Sequence, residues 1–299
     1  MANPLSTKVN GVSLFDPELV ADLINKVKGH SSLAVLSGQI PVSFVGNKEF
    51  TFTMDTEIDI VAENGAKSHG GVTVDPVTII PIKFEYGARI SDEFMYASEE
   101  EQVDILRAFN DGFARKVARG LDIAAFHGFN PRTGTASAVV GSNNFDSKVT
   151  ANASLITYTA AAPDANIEDA IAAVEANDCD VTGIVISPAM RSALAAMTNA
   201  NGRAYPEFAF GGKPATLGAQ RLDINSTVAV GSVDQAIVGD FANAFKWGYA
   251  KEIPVELIQY GDPDNSGSDL KGHNQIYIRA EVYLGWGILD ASAFARIVP

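Results

Sequence analysis

Residues 98–128 read SEEEQVDILRAFNDGFARKVARGLDIAAFHG and form the strongest structural pattern in the chain. Apolar side chains recur every three or four residues along this stretch, at Val103, Leu106, Phe109, Phe113, Val117, Leu121 and Ala124. The spacing predicts one amphipathic helix that ends at Gly128, shortly before Pro131. Ser98 and Glu101 have the spacing of a capping box at its start. A helix of about 30 residues is about 45 Å long, more than twice the usual length in globular proteins.

Such a long helix is typical of a coiled coil, a bundle, or a flat domain in which the helix is the spine. Heptads are not sustained here, which disfavours a coiled coil. Gly112 and Gly120 each cost about 1 kcal/mol relative to alanine in a helix. Their presence indicates close packing of another element against the helix backbone, as a sheet would require.

Upstream of this helix, residues 49–90 are rich in strand-forming residues. From Glu49 to Ile60 apolar and polar residues alternate at first, which predicts a half-exposed strand. A turn-rich stretch over 63–71 separates it from a second β-prone run, 72–90. The two runs predict a long two-stranded ribbon with large apolar side chains at Phe50, Phe52, Met54, Ile58 and Ile60. An isolated hairpin is marginal in water, so either the rest of the subunit or a neighbouring subunit should cover it.

The segment nearest the N-terminus reads as an amphipathic arm. Asp16 and Pro17 have the order of a helix cap and first turn, and an apolar stripe follows until Gly29. Residues 30–41 have no strong period, which suits a segment laid over another surface.

Beyond the long helix the pattern becomes mixed α/β. A helix is predicted over 167–174, a buried strand over 181–186, and a second helix that starts at Ser187-Pro188. Further strands are predicted at 228–230, 236–238 and 255–259. Residues 275–299 alternate again and need a pairing partner.

Composition restricts the function. The 299-residue chain has 36 acidic and 22 basic residues, a formal charge of -14, and no window in which Lys and Arg concentrate. Strong direct binding to nucleic acid is therefore not expected. Cys179 is the only cysteine, so an intrachain disulfide and a cysteine zinc site are excluded. No apolar run approaches the roughly 20 residues that span a bilayer, and no secretion signal is visible, so we expect no membrane partner.

Common catalytic and cofactor motifs are missing. His30, His69, His127 and His273 lack the paired spacings of metal sites, and are read as solvated or packed side chains. Phosphate-binding, dinucleotide-binding and nucleophile-elbow motifs are absent. Residues 262–267 resemble the start of a calcium loop, but its twelfth position is His273 instead of Glu, so an exposed polar turn is predicted. We expect no cofactor and no metal.

The order of the elements resembles the tailed-bacteriophage major capsid protein family, which has the Hong Kong 97 type of shell fold. The resemblance runs from about residue 30 to the C-terminus and is distributed over six short pieces. These are IDIVAENGAK (58–67), RISDE (89–93), LDIAAFHG (121–128), GIVISP (183–188) followed by NGR (201–203), VGDF (238–241), and IYIRAE (276–281). Each piece is weakly specific, and their shared order carries the resemblance.

The resemblance implies an α+β fold with five regions. They are an N-terminal arm (1–38), an extended loop hairpin with its return strand (39–90), a peripheral domain with a spine helix (91–132), an α/β axial domain (133–272), and C-terminal strands that return to the peripheral domain (273–299). In the family, the arm and hairpin lie across neighbouring subunits. Phe50, Phe52, Met54, Ile58 and Ile60 are therefore the implied inter-subunit contacts.

The implied function is structural and not enzymatic. The family self-assembles through hexamers and pentamers into an icosahedral capsid around viral double-stranded DNA, in the bacterial host cytoplasm. Because the arm begins almost at Met1, a separate scaffolding protein is expected, besides a portal and a possible decoration protein. Two alternatives stay open, namely an encapsulin-like nanocompartment that encloses a cargo enzyme, and a cytoplasmic α/β enzyme with an unrecognised site.

A subset of the family cross-links its subunits covalently. In that subset a hairpin lysine forms an isopeptide bond with an asparagine of a neighbour, promoted by a glutamate. Lys67, Asn274 and Glu281 fall at the corresponding positions, where the carboxylate would accept the ammonium proton. An exposed loop lysine and a strand glutamate are also common without any cross-link, so the resemblance leaves both outcomes open.

Overall fold

A computed structural model of the chain describes residues 8–9, 12–13, 31–96, 99–251 and 255–299. The predicted helix after Asp16 and the Ser98 side of the predicted capping box lie outside the described residues.

Within the described residues the helices and strands are short, apart from one long helix and one long strand. The α-helices are α1 (Ser32–Leu36), α2 (Glu99–His127), α3 (Phe145–Lys148), α4 (Pro163–Glu175) and α5 (Pro188–Ala196), and 3-10 helices cover Asp92–Tyr96, Asn152–Ser154, Pro206–Gly211, Ser226–Ser232 and Lys271–His273. The strands are β1 (Lys8–Val9), β2 (Val12–Ser13), β3 (Asn47–Met54), β4 (Val72–Ile79), β5 (Ile82–Ser91), β6 (Phe129–Asn130), β7 (Thr135–Ala136), β8 (Leu155–Thr157), β9 (Gly183–Ile186), β10 (Thr198–Asn199), β11 (Gly202–Arg203), β12 (Thr216–Leu217), β13 (Gln220–Ile224), β14 (Ala236–Gly239), β15 (Phe245–Lys251), β16 (Val255–Ile258), β17 (Gln275–Ile288) and β18 (Phe294–Val298).

The predicted long helix is confirmed as α2, and it packs on a sheet. Strand β17 pairs antiparallel with β5 on one edge, and with β15 and β16 on the other. Side chains of α2 and β17 share one hydrophobic core. A Cβ added to Gly120 would lie 3.3 Å from the Phe84 ring of β5, so close packing there is confirmed. Gly112 has no atom within 4 Å of such a Cβ, and the same prediction is wrong at that position.

A second sheet has six strands in the order β12-β13-β9-β14-β18-β8. Its central strands are buried on both faces, which explains the continuous apolar run predicted over 181–186. Val185 and Ile237 point to the core shared with α2. Their neighbours Ile184 and Val238 point to a second core, which α4 and α5 cover. Ser187 caps α5 as predicted, because its hydroxyl accepts the Met190 N–H at 3.0 Å.

Three further sequence predictions are wrong in detail. Residues 228–230 form part of the 3-10 helix Ser226–Ser232, because the Asn225 side chain accepts the Thr227 N–H and starts a turn. The run 72–90 is two strands with different partners, divided at Ile80-Pro81, where proline offers no N–H for a ladder.

The third difference is in the C-terminal strands (273–299), which were all expected to return to the peripheral domain that contains the long helix. Only β17 lies there. The turn after it directs β18 into the six-stranded sheet, between β14 and β8. In that turn Asp290 accepts the Ser292 N–H at 2.8 Å.

Candidate assembly interface

The predicted ribbon is the β3–β4 hairpin. Its register runs from the pair Asn47 and Ile79 to the pair Met54 and Val72. Asp55 closes the far end, because its carboxylate accepts the Gly71 N–H at 2.6 Å. The first strand therefore stops at Met54, and Ile58 and Ile60 lie in the loop beyond the ribbon instead of on its face.

One face of the ribbon is a continuous apolar strip. Its cross-strand pairs are Phe50 with Pro76, Phe52 with Val74 and Met54 with Val72. Phe50, Phe52 and Met54 are 68%, 60% and 69% exposed. Ile58 and Ile60 in the loop are more than nine-tenths exposed. Monomeric proteins seldom leave so many large apolar side chains in contact with water.

Within the part of the chain that the structure describes, the ribbon contacts the body of its own subunit near the base. Ile79 is fully buried beside Gly285 and Gly287 of β17. On the polar face, Glu49 forms an ion pair with Lys246 of β15 at 3.2 Å. The face that turns toward the subunit is thus the polar one, and the strip of Phe50, Phe52 and Met54 points away from it.

The three cross-link candidates occupy different surroundings. Lys67 is exposed in the ribbon loop, and Asn274 is exposed with a left-handed backbone before β17. Glu281 is engaged by Lys83 at 2.7 Å and by Arg279 at 3.3 Å. At about 3.3 Å per residue, the seven steps from Asn274 to Glu281 span about 23 Å. These two residues therefore cannot act on one bond from within a single subunit.

A buried charged network joins α2 to the six-stranded sheet. Arg296 of β18 contacts Asp234 at 2.8 Å and Asp146 at 2.7 Å. His127, the last residue of α2, contacts Asp146 through Nδ1 at 3.0 Å and the Thr227 carbonyl oxygen through Nε2 at 3.1 Å. The Thr227 carbonyl only accepts hydrogen bonds, so Nε2 donates to it, and a second proton on Nδ1 would let the ring pair with Asp146 as an imidazolium.

The pKa values in this network follow from burial and pairing. Burial lowers the pKa of His127, but the hydrogen bond and charge of Asp146 outweigh it and the net pKa is raised above 6.5. Burial raises the pKa of Asp234, against the opposing effect of Arg296. His127, Asp146 and Asp234 are spaced closely enough to hold a metal ion. The guanidinium of Arg296 already contacts both carboxylates, so the protein supplies its own cation.

Asp122 of α2 is a second buried carboxylate that the sequence analysis did not single out. It accepts hydrogen bonds from the Ser31 hydroxyl, from the Ser32 and Leu33 N–H groups, and from the side chains of Asn225 and Thr227. Burial raises its pKa to about 6 although these donors oppose the shift. Asp122 thereby fixes the chain at the point where residue 31 meets α2.

The loop that resembled the start of a calcium site is also closed by an arginine. Arg89 of β5 contacts Asp262, Asp264, Ser266 and the Ser268 carbonyl. The guanidinium holds the pKa of Asp264 well below its usual value. No α-helix flanks this loop among the described residues, so the predicted polar turn describes it better than a calcium site.

Comparisons with known proteins agree on one family. The model of the phage capsid family matches residues 11–298. A solved structure from Mycobacterium phage Ogopogo is 31% identical, covers 90% of this chain and 91% of its own, and has a TM-score of 0.75. One from Gordonia phage Cozz is 24% identical, covers 90% and 86%, and has a TM-score of 0.73. A structure titled as the capsid of an empty GTA particle is 19% identical, covers 90% of each chain, and has a TM-score of 0.64.

These likenesses confirm the α+β fold class and the suspected family. No protein with a curated description matches the chain. None of the helices in the described residues combines the length and hydrophobicity that crossing a bilayer requires.

Proposed function

The chain belongs to the phage capsid family and is a structural protein of the virion shell, and we propose that its copies assemble through hexamers and pentamers into an icosahedral capsid around viral double-stranded DNA. The observation that carries this proposal is the apolar strip of Phe50, Phe52 and Met54, which lies on one face of the ribbon and is 60–69% exposed. A neighbouring copy is the partner that would cover it.

The energy available from that contact is substantial. Full burial of a large apolar side chain contributes about 1.5–3 kcal/mol. Three such residues at each of many identical contacts would favour assembly strongly, while each contact stays weak enough to correct errors. In this proposal the loop hairpin and the arm up to residue 30 lie across neighbours, whereas the end of the arm at α1 stays in the core of its own subunit. Helix α2 is the spine of a peripheral domain, and the six-stranded sheet belongs to an axial domain.

In this proposal the shell encloses the DNA without binding it tightly. The formal charge of -14 disfavours sequence-specific or tight binding to phosphates. A scaffolding protein and a portal act as separate partners in the bacterial cytoplasm, and a decoration protein is a further possible partner. An encapsulin-like shell would enclose protein instead, so nuclease-protected DNA in purified virions separates the two functions.

Assembly is tested by producing the chain with its scaffolding protein and analysing the product by sedimentation velocity and electron microscopy. We expect wild-type shells or capsomers. Phe52→Ser should leave subunits unassembled, whereas Thr53→Ser, on the opposite ribbon face, should assemble normally. A wild-type chain that stays monomeric at micromolar concentration would overturn the proposal.

We propose that the subunits are held together without covalent cross-links. Glu281 is already paired with two cations, so it is poorly placed to accept a proton from the Lys67 ammonium. Denaturing gel electrophoresis of mature particles should give one band near 31.6 kDa. A ladder of multiples that disappears in Lys67→Arg would contradict this expectation.

A further inference from the structure

A cationic pocket lies beside α5, on the six-stranded-sheet side of the molecule. It encloses about 500 Å³ between α5, β10, β11 and the 3-10 helix Pro206–Gly211. Arg191 and Arg203 line it together with Phe210, Ser192 and Thr198. Each arginine is held by one hydrogen bond to a main-chain carbonyl, Arg191 to Phe208 at 2.9 Å and Arg203 to Ala195 at 2.5 Å.

Neither arginine of this pocket has an acidic partner. In the part of the chain that the structure describes, no carboxylate lies within ion-pair distance of Arg191 or Arg203. Glu207 lies on the neighbouring 3-10 helix without pairing to either. Two guanidinium groups with spare donors in one concavity are unusual in a chain with an excess of 14 negative charges. Guanidinium forks match the geometry of carboxylates.

Phe210 adds a second, independent indication that this surface has an external partner. Its side chain is 100% exposed, and its backbone has a left-handed φ of 52°. An aromatic residue in that conformation is strained. Because the side chain is fully exposed, no hydrophobic burial within the subunit offsets this strain. The Arg203 guanidinium lies 5.4 Å from the centre of the Phe210 ring, which keeps the cation and the aromatic side chain at one place.

A complementary surface lies on α4 of the same chain. This helix contains Asp164, Glu168, Asp169 and Glu175 and no basic residue. Glu168, Asp169 and Glu175 are exposed, and none has an ion pair among the described residues. Like charges along one helix face repel each other, so this face too is incomplete within the subunit.

We propose that the pocket of Arg191, Arg203 and Phe210 receives the acidic face of α4 from a second copy of this chain. Two different complementary patches on one subunit produce a head-to-tail contact, and such contacts form a ring when the rotation between neighbours closes. The inference rests on the proposed function, since it identifies the contact that would join neighbours around a hexamer or pentamer. Phe210 supplies the aromatic anchor of that contact, and the arginines supply its charge pairing.

Charge reversal and its rescue test the contact in the full-length chain, produced with its scaffolding protein. Arg203→Glu alone, and Glu168→Arg with Asp169→Arg, should each lower the capsomer association constant at least about tenfold. Combining the three substitutions should restore most of it. Arg221→Glu, which reverses an exposed cation of the same sheet region outside the pocket, should assemble as wild type does.

Phe210→Gly separates an assembly defect from a folding defect. Glycine tolerates the left-handed backbone, so this substitution should not destabilise the subunit. This variant should be at least as heat-stable as the wild-type subunit and should still assemble more weakly. If wild type assembles and Arg203→Glu does too, or if the triple variant fails to recover, this inference is overturned while the capsid function stands. If wild type itself forms no capsomers, the proposed function is the one that fails.

Discussion

Two groups of phenylalanines in this chain have opposite environments. At the end of α2, Phe126, Phe145 and Phe294 are fully buried, and the Phe145 ring centre lies 4.9 Å from that of Phe294. On the ribbon, Phe50 and Phe52 are more than half exposed. The first group belongs to a body whose buried charges are paired inside one subunit, whereas the second stays in contact with water in the isolated subunit.

Under the proposed function, the difference separates residues that stabilise the subunit from residues that would join subunits to each other. A substitution in the body should change the free energy of unfolding of an isolated subunit. A substitution on the ribbon should change only association. The following predictions concern the free energy of unfolding of unassembled subunits, which the fluorescence of buried Trp247 and Trp286 reports during urea denaturation.

The largest loss is expected for Arg296→Met. The substitution leaves Asp234, which is fully buried, without its cation, and leaves Asp146 with His127 alone. Breaking a buried ion pair from one side costs about 3–5 kcal/mol. Arg296→Lys keeps the charge but loses the paired geometry, so its stability should fall between those of Arg296→Met and wild type. Unchanged urea midpoints in both variants would show that the network does not stabilise the body.

A smaller loss is expected for Asp122→Asn. Both carboxylate oxygens face donors, so an amide placed either way turns its NH2 group toward another donor. We expect a loss of about 1–3 kcal/mol. In wild type, the pKa of about 6 also makes stability fall as pH rises from about 4 to about 6, because the folded state holds the proton longer. That slope should be reduced in the variant, and an equal slope would assign it to other groups.

A pH-dependent loss is expected for His127→Gln. The folded pKa of His127 is raised above 6.5, so the stability that its charge contributes is full below 6.5 and is lost as pH rises through the folded value. The difference between wild type and variant should therefore be larger at about pH 6 than at about pH 9. The facing groups Asp146, Asp234 and Arg296 are unchanged in the variant. A difference that is constant with pH would mean that the ring is not charged.

The smallest effect is expected on the ribbon. Replacing Phe50, Phe52 and Met54 together by serine should change subunit stability by no more than about 0.5 kcal/mol, as exposed substitutions usually do. The matched change in the body, Phe145→Ala, should cost about 3–5 kcal/mol. A ribbon variant as unstable as the Phe145 variant would show that the strip is covered within its own subunit.

The sequence predicts those parts of the fold that depend on local periodicity. The apolar stripe of α2, the run of β9 and the Ser187 cap of α5 are each visible within a few residues. The destination of β18 and the 3-10 helix at 226–232 depend on distant partners and on one capping side chain, so they are not visible locally. Short apolar runs such as 228–230 do not distinguish strand from helix.

The sequence predicted only those parts of the candidate interface that depend on local alternation. Alternation shows which face of the ribbon carries Phe50 and Phe52, but it does not show that Asp55 ends the strand before Ile58. The buried network joins residues 127, 146, 234 and 296, and no spacing in the chain connects them. Arg191 and Arg203 become a pocket only when α5 and β11 are folded together.

The position of β18 sets a delay during protein synthesis. The ribosome completes the ribbon at Ile79 and reaches Val298 roughly 220 residues later, which takes on the order of ten to forty seconds at bacterial elongation rates. During that interval β14 lacks its neighbour β18, and Asp234 lacks its partner Arg296. The apolar strip of the ribbon has already been synthesised. A nascent chain therefore exposes its apolar strip before the six-stranded sheet can be completed. A factor that covers the ribbon during this interval would reduce aggregation and raise the yield of subunits that can assemble.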